Sequence, residues 1–75
     1  MPRDEILNRI RRLRFDNGEM TQQQLADHVR CTRQTIIALE HGKYLPSLAL
    51  ALRLARVFDV PIEGVFELRE IDPLG

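Results

Sequence analysis

At 75 residues, with 44% hydrophobic and 29% charged side chains and no low-complexity run, the chain fits one small globular domain and excludes a disordered polymer or a multidomain assembly. The single cysteine, Cys31, excludes an intramolecular disulfide. No stretch is apolar enough to span a membrane and the charged start MPRDEILNRIRR is unlike a secretion signal, so a reducing, cytoplasmic setting is expected. The formal net charge of zero and a pI near 6.7 exclude a uniformly basic surface.

The first helix is predicted from near Asp4 to Asp16, with Ile6 or Leu7, Ile10 and Leu13 turned inward and Arg9, Arg11 and Arg12 outward. Asn17 and Gly18 end it, since glycine suits the left-handed conformation that closes a helix. Thr21 then caps a second helix. Gln24 can reach back to that cap in a T-x-x-Q capping box, and Met20 and Leu25 complete a hydrophobic staple. The same grammar returns at Thr32, flanked by Cys31 and Ile36, so two helix starts this close require an abrupt turn between them.

His41 to Pro46 make a loop, and Ser47 caps a fourth helix on which Leu48, Leu52, Ala55, Val57 and Phe58 recur as core positions. Pro61 opens a short fifth helix, Ile62 to about Phe66, because proline suits a first turn. The alternation from Phe66 to Arg69 then reads as a short C-terminal strand, and residues 72–75 as a tail.

Leu25 and Val29 share one face of the second helix and Ile36 and Leu39 one face of the third, so the two stripes can meet in one core. Ala26 beside them permits close approach, because packed interiors tolerate little extra volume. With Ile36 and Leu39 inward, Arg33, Gln34 and Ala38 face out. That array suits a DNA major groove: Arg can bond guanine O6 and N7, Gln adenine N6 and N7, and Ala38 or the Thr32 methyl can touch a thymine methyl.

The window TQQQLADHVRCTRQTIIALEHGK, Thr21 to Lys43, together with PSLALALRLARVFDVPIEGVFEL, resembles the phage repressor and Cro group of helix-turn-helix regulators, also called the xenobiotic-response-element type. The resemblance covers nearly the whole chain. It implies an all-α fold of five helices, here with a short C-terminal strand, the helix-turn-helix lying at about 21–40 within a domain of residues 1–71. It also implies an Arg14 to Glu40 ion pair tying the first helix to the third. Gln22, at a helix start where backbone N–H groups favour an anion, resembles the family's phosphate clamp. Lys43 and His41 match further backbone-contacting positions, although relatives usually carry asparagine where His41 stands. Arg30 departs from the family's glycine in the turn, which predicts a non-glycine residue in the left-handed region or a remodelled turn. The run GEMT is one residue longer than the family's usual GLT.

Residues 1–44 carry eight basic and six acidic groups, whereas residues 45–75 carry three and five, so acid is concentrated away from the reading helix. Affinity is therefore expected to depend more on base contacts and on paired half-sites than on bulk charge. A domain this small buries only about 60% of its unfolded surface, and dimerisation would add stability. An unpaired strand would also be an exposed edge. Relatives commonly dimerise through C-terminal elements, so a homodimer is expected through residues of about 62–71, using Ile62, Val65, Phe66, Leu68 and Ile71. The competing expectation is that the segment folds back on its own core.

His28, Cys31 and His41 fall within fourteen residues of one another, but structural zinc takes four ligands and no fourth stands nearby, so neither metal nor cofactor is expected. No nucleophile and base set, phosphate-cradling glycine loop or carboxylate pair points to an enzyme. The leading expectation is a transcriptional regulator that binds double-stranded DNA as a homodimer. The alternative is an antitoxin-like module that neutralises a partner protein, which the few residues after the strand disfavour.

Overall fold

The computed structural model describes residues 3–71 and the side chains of residues 5–70; the 72–75 tail and the Ile71 side chain lie outside the described residues. Five helices follow one another around a single core: α1 Ile10–Asp16, α2 Gln22–Val29, α3 Arg33–Glu40, α4 Leu48–Phe58 and α5 Ile62–Val65. Two strands, β1 Arg3–Asn8 and β2 Phe66–Ile71, bracket them. Ile10, Leu25, Val29, Ile36, Leu39, Leu54 and Val65 supply the largest fully buried side chains. Ala26 is also wholly buried, and its small side chain lets α2 and α3 pack closely.

The expected first helix is corrected at its start. Residues 3–8 form a strand, and the helix begins only at Ile10. Asn8 explains the break, because its Oδ1 accepts the Ile10 N–H at 3.2 Å and draws the backbone away from continued helix. The C-terminal alternation explains the strand. β1 and β2 pair antiparallel from Arg3↔Ile71 to Asn8↔Phe66, with Ile6↔Leu68 near the middle. The expected lone edge strand therefore has its partner within the same chain. Val65 is fully buried against that chain's own core, which removes it from any surface open to a second subunit.

A second correction concerns α4. Its buried face is Leu50, Ala51, Leu54, Ala55 and Phe58, whereas the expected core residues Leu48 and Leu52 are 71% and 51% exposed. Leucines stand at 48, 50, 52 and 54, so two opposite sides of the helix, Leu48 with Leu52 and Leu50 with Leu54, each offer an apolar stripe. Rotation is then decided by packing: small Ala51 and Ala55 beside Leu50 and Leu54 allow close approach to the core. Ser47 Oγ accepts the Leu50 N–H at 3.1 Å and sets where this helix begins. α5 stops at Val65, because Phe66 has already entered the strand conformation.

Candidate nucleic-acid interface

The start of α2 is fixed by reciprocal hydrogen bonds. Thr21 Oγ1 accepts the Gln24 N–H at 3.0 Å while Gln24 Oε1 accepts the Thr21 N–H at 2.9 Å. At the other end Arg30 adopts φ 62° and ψ 47°, and its N–H returns to the Ala26 carbonyl. The usual glycine conformation thus persists with an arginine in it. Asp59, closing α4 at φ 54°, and Glu19, in the lengthened loop at φ 56°, do the same. Arg53 Nη1 donates to the Val29 carbonyl at 3.2 Å, which ties α4 to the last turn of α2.

Thr32 caps α3, its Oγ1 accepting the Thr35 N–H at 3.2 Å and lying 3.0 Å from the Thr35 hydroxyl. Cys31 before it packs partly against the core, and burial pushes its thiol pKa up despite the opposing charge of Arg53. Ile36 and Leu39 hold the inner face of α3, leaving Thr32, Arg33 and Gln34 exposed and Ile37 and Ala38 half-buried. A polar N-terminal turn thus projects from a helix anchored on its far side. Arg33 also lines an open cleft of about 350 Å³ with Arg14, Glu19, Thr21, Gln22 and Gln23. Guanidinium and amide donors of two helix starts therefore face one concavity, which is chemistry suited to an anion.

The far end of α3 is held by several side chains at once. Arg14 Nε donates to Glu40 Oε2 at 2.7 Å and Nη2 to Oε1 at 3.1 Å, while Nη1 donates to the Met20 carbonyl at 2.8 Å. Gln22 Nε2 gives one N–H to Glu40 Oε1 at 3.2 Å and keeps a second. His41 Nδ1 lies 2.8 Å from the Ile37 carbonyl, so its ring folds back on the helix and only Nε2 remains for another group. Lys43 is exposed beyond Gly42, which turns the chain at φ 70°. Sequence reasoning missed Asn8. Its Nδ2 donates to the Leu39 carbonyl at 2.8 Å, joining β1 directly to the end of α3. An asparagine two residues before the apolar Ile10 was a usable signal of a turn, because its side chain readily accepts the backbone N–H two residues on.

Among the described residues no three of His, Cys, Asp and Glu gather as a metal site, and no helix is long and apolar enough to cross a membrane. Residues 10–65 match the model of a family described as helix-turn-helix. The chain is 53% identical over 58 residues to an uncharacterized HTH-type transcriptional regulator of Archaeoglobus fulgidus, covering 77% of this chain and 81% of that one. It is 43% identical over 63 residues to the Bacillus subtilis regulator YgzD, also uncharacterized, covering 84% and 94%. A candidate DNA-binding protein from Bacteroides fragilis, 24% identical in sequence, superposes with a TM-score of 0.70 over 83% of this chain and 98% of its own.

Proposed function

The chain belongs to the Cro/C1-type helix-turn-helix family, and we propose that it is a sequence-specific transcriptional regulator that grips an inverted-repeat operator as a homodimer. The observation that carries this reading is the exposed turn Thr32, Arg33 and Gln34 on a helix whose opposite end is clamped by Arg14 and Asn8. Arg33 and Gln34 read base edges, Thr32 and Ala38 meet thymine methyls, and Gln22, His41 and Lys43 hold the phosphates on either side. Two such helices one turn of duplex apart, about 34 Å, match paired half-sites.

Support for a two-subunit reading head comes from a shallow apolar groove of about 340 Å³ lined by Ile6, Leu45, Pro46, Leu48, Ile62 and Phe66. Leu45 and Leu48 are 66% and 71% exposed, and Leu68 on the adjoining ribbon is 65% exposed. Contiguous exposed apolar surface of this kind marks an interaction face. With Val65 buried and β2 already paired, the proposed interface shifts from strand pairing towards the α3–α4 loop, the start of α4, Ile62 and Phe66. Selection of bound duplexes from a random pool at two salt concentrations tests the reading. A palindrome should be enriched at both, and a pool left without one overturns it.

A further inference from the structure

Three arginines face outward from the first helical turns, and they are not equivalent. Arg9 Nη2 lies 3.4 Å from the Glu67 carboxylate and Arg12 Nε 3.2 Å from that of Asp16. Arg11 makes no ion pair or side-chain hydrogen bond among the described residues. One turn along the same helix stands Phe15, an aromatic ring left 64% exposed. Arg11 and Phe15, four residues apart, form a ridge on one face of α1.

That ridge adjoins the reading cleft. Arg11 and Phe15 line a depression with Arg14, Glu19 and Met20, and these last three also line the cleft that holds Gln22 and Arg33. The surface therefore runs without a break from the start of α3, past the start of α2, to the outer side of α1. An uncommitted guanidinium beside an exposed ring matches a sugar-phosphate backbone, the charge meeting a phosphate and the ring a deoxyribose face. A duplex seated in the cleft extends along this line in one direction.

We propose that Arg11 and Phe15 form a further DNA backbone-contact site, extending the footprint outward from the helix-turn-helix by one phosphate on each half-site. This rests on the DNA-reading assignment above. Glu19 in the same depression opposes the phosphate and moderates the contact.

Binding is measured by titration over a range of salt concentrations, using a duplex selected from a random pool by the wild-type chain and an unrelated duplex of equal length. Arg11→Gln should weaken both duplexes alike and reduce the slope of log K against log salt by about one, whereas Arg11→Lys should keep the slope. Phe15→Ser should lower affinity at every salt concentration without changing the slope. Glu19→Gln should raise affinity for both duplexes. Thermal melts of the Arg11 variants should match wild type, since Arg11 is exposed and unpaired among the described residues. Duplex affinity and slope unchanged in Arg11→Gln and Phe15→Ser, with wild type still selecting its duplex, overturn the site and leave the ridge to a protein partner. A wild-type chain that selects no duplex overturns the DNA reading itself, and this site with it.

Discussion

Arg14 and Glu40 meet as a fork, two guanidinium nitrogens facing two carboxylate oxygens at 2.7 and 3.1 Å, with side chains only 15% and 8% exposed. The pair joins α1 to the last residue of α3, and each partner has further hydrogen bonds, to the Met20 carbonyl and from Gln22. Removing one partner strands a desolvated charge. Arg14→Ala or Glu40→Ala should therefore cost on the order of 3–5 kcal/mol, while the double change to an apolar pair costs less than the sum of the two. At about 4–8 °C per kcal/mol for a domain of this size, thermal melts of the three variants resolve the cycle. A single variant melting within a degree of wild type would show that the fork contributes nothing.

Arg30 occupies the left-handed region at φ 62°, which is sterically costly for a residue with a Cβ. Arg30→Gly should stabilise the fold by about 1 kcal/mol, less whatever the more flexible glycine adds to the unfolded state. Asp59→Gly serves as a parallel, since Asp59 has φ 54° and closes α4. An unmoved or lowered melting temperature in both variants counts against backbone strain as the dominant effect.

The helix-turn-helix was legible in the sequence because its signals are local. Thr21 with Gln24, Thr32 and Ser47 each announce a helix start through chemistry spanning three or four residues, and each side chain accepts the backbone N–H expected of a cap. β1 was not legible, because a strand with one partner is defined by pairing across more than fifty residues of chain and DEILN alone fits one turn of helix as well. The rotation of α4 was hidden for a related reason. Leucine at every second position leaves the choice of buried face to tertiary packing. At the candidate interface the exposed residues were legible from the spacing of Ile36 and Leu39, whereas Asn8 was obscured by the same error that extended the first helix.

Asn8 is a bridge with two separable functions. Its Oδ1 accepts the Ile10 N–H at the start of α1, and its Nδ2 donates to the Leu39 carbonyl at the end of α3, which also accepts the Gly42 N–H. Asn8→Asp retains the first and loses the second, while Asn8→Ala loses both. The Leu39 carbonyl still accepts the Gly42 N–H at 3.0 Å, so losing the Asn8 amide removes one hydrogen bond, worth about 0.5–1.5 kcal/mol, and both variants should be destabilised by roughly that amount in chemical denaturation. The aspartate should be no better than the alanine, because it sets a carboxylate oxygen against a carbonyl oxygen. A fully stable Asn8→Asp would show that the Leu39 contact is dispensable.

Cys31 offers a pH test with a definite sign. Burial raises its thiol above the ordinary value of 9.0, outweighing the opposing pull of Arg53, so the fold favours the protonated form. Its stabilising contribution is fully present below pH 9.0 and is lost as pH rises through the raised value. Alkaline titration of wild type should show a fall in stability above pH 9.0 that Cys31→Ala lacks. At pH 8, an aromatic disulfide reagent should modify the folded chain more slowly than the denatured one. Equal rates would mean that the thiol is open to solvent.

Leu48 separates dimerisation from folding better than truncation of the C-terminal strand would, because β2 is paired with β1 and its loss disrupts the chain's own sheet. At 71% exposure Leu48 contributes little to the core, yet it lines the apolar groove beside Leu45 and Phe66. Leu48→Asp should leave the helical circular-dichroism signal intact and, if the groove is the subunit contact, shift the mass measured by light scattering from dimer to monomer. Because two linked half-site contacts bind far more tightly than one, the same variant should lose affinity for a palindrome by a much larger factor than for an isolated half-site. A dimer of unchanged mass in Leu48→Asp moves the interface off this groove, and a wild-type chain that is monomeric at high micromolar concentration removes the homodimer altogether.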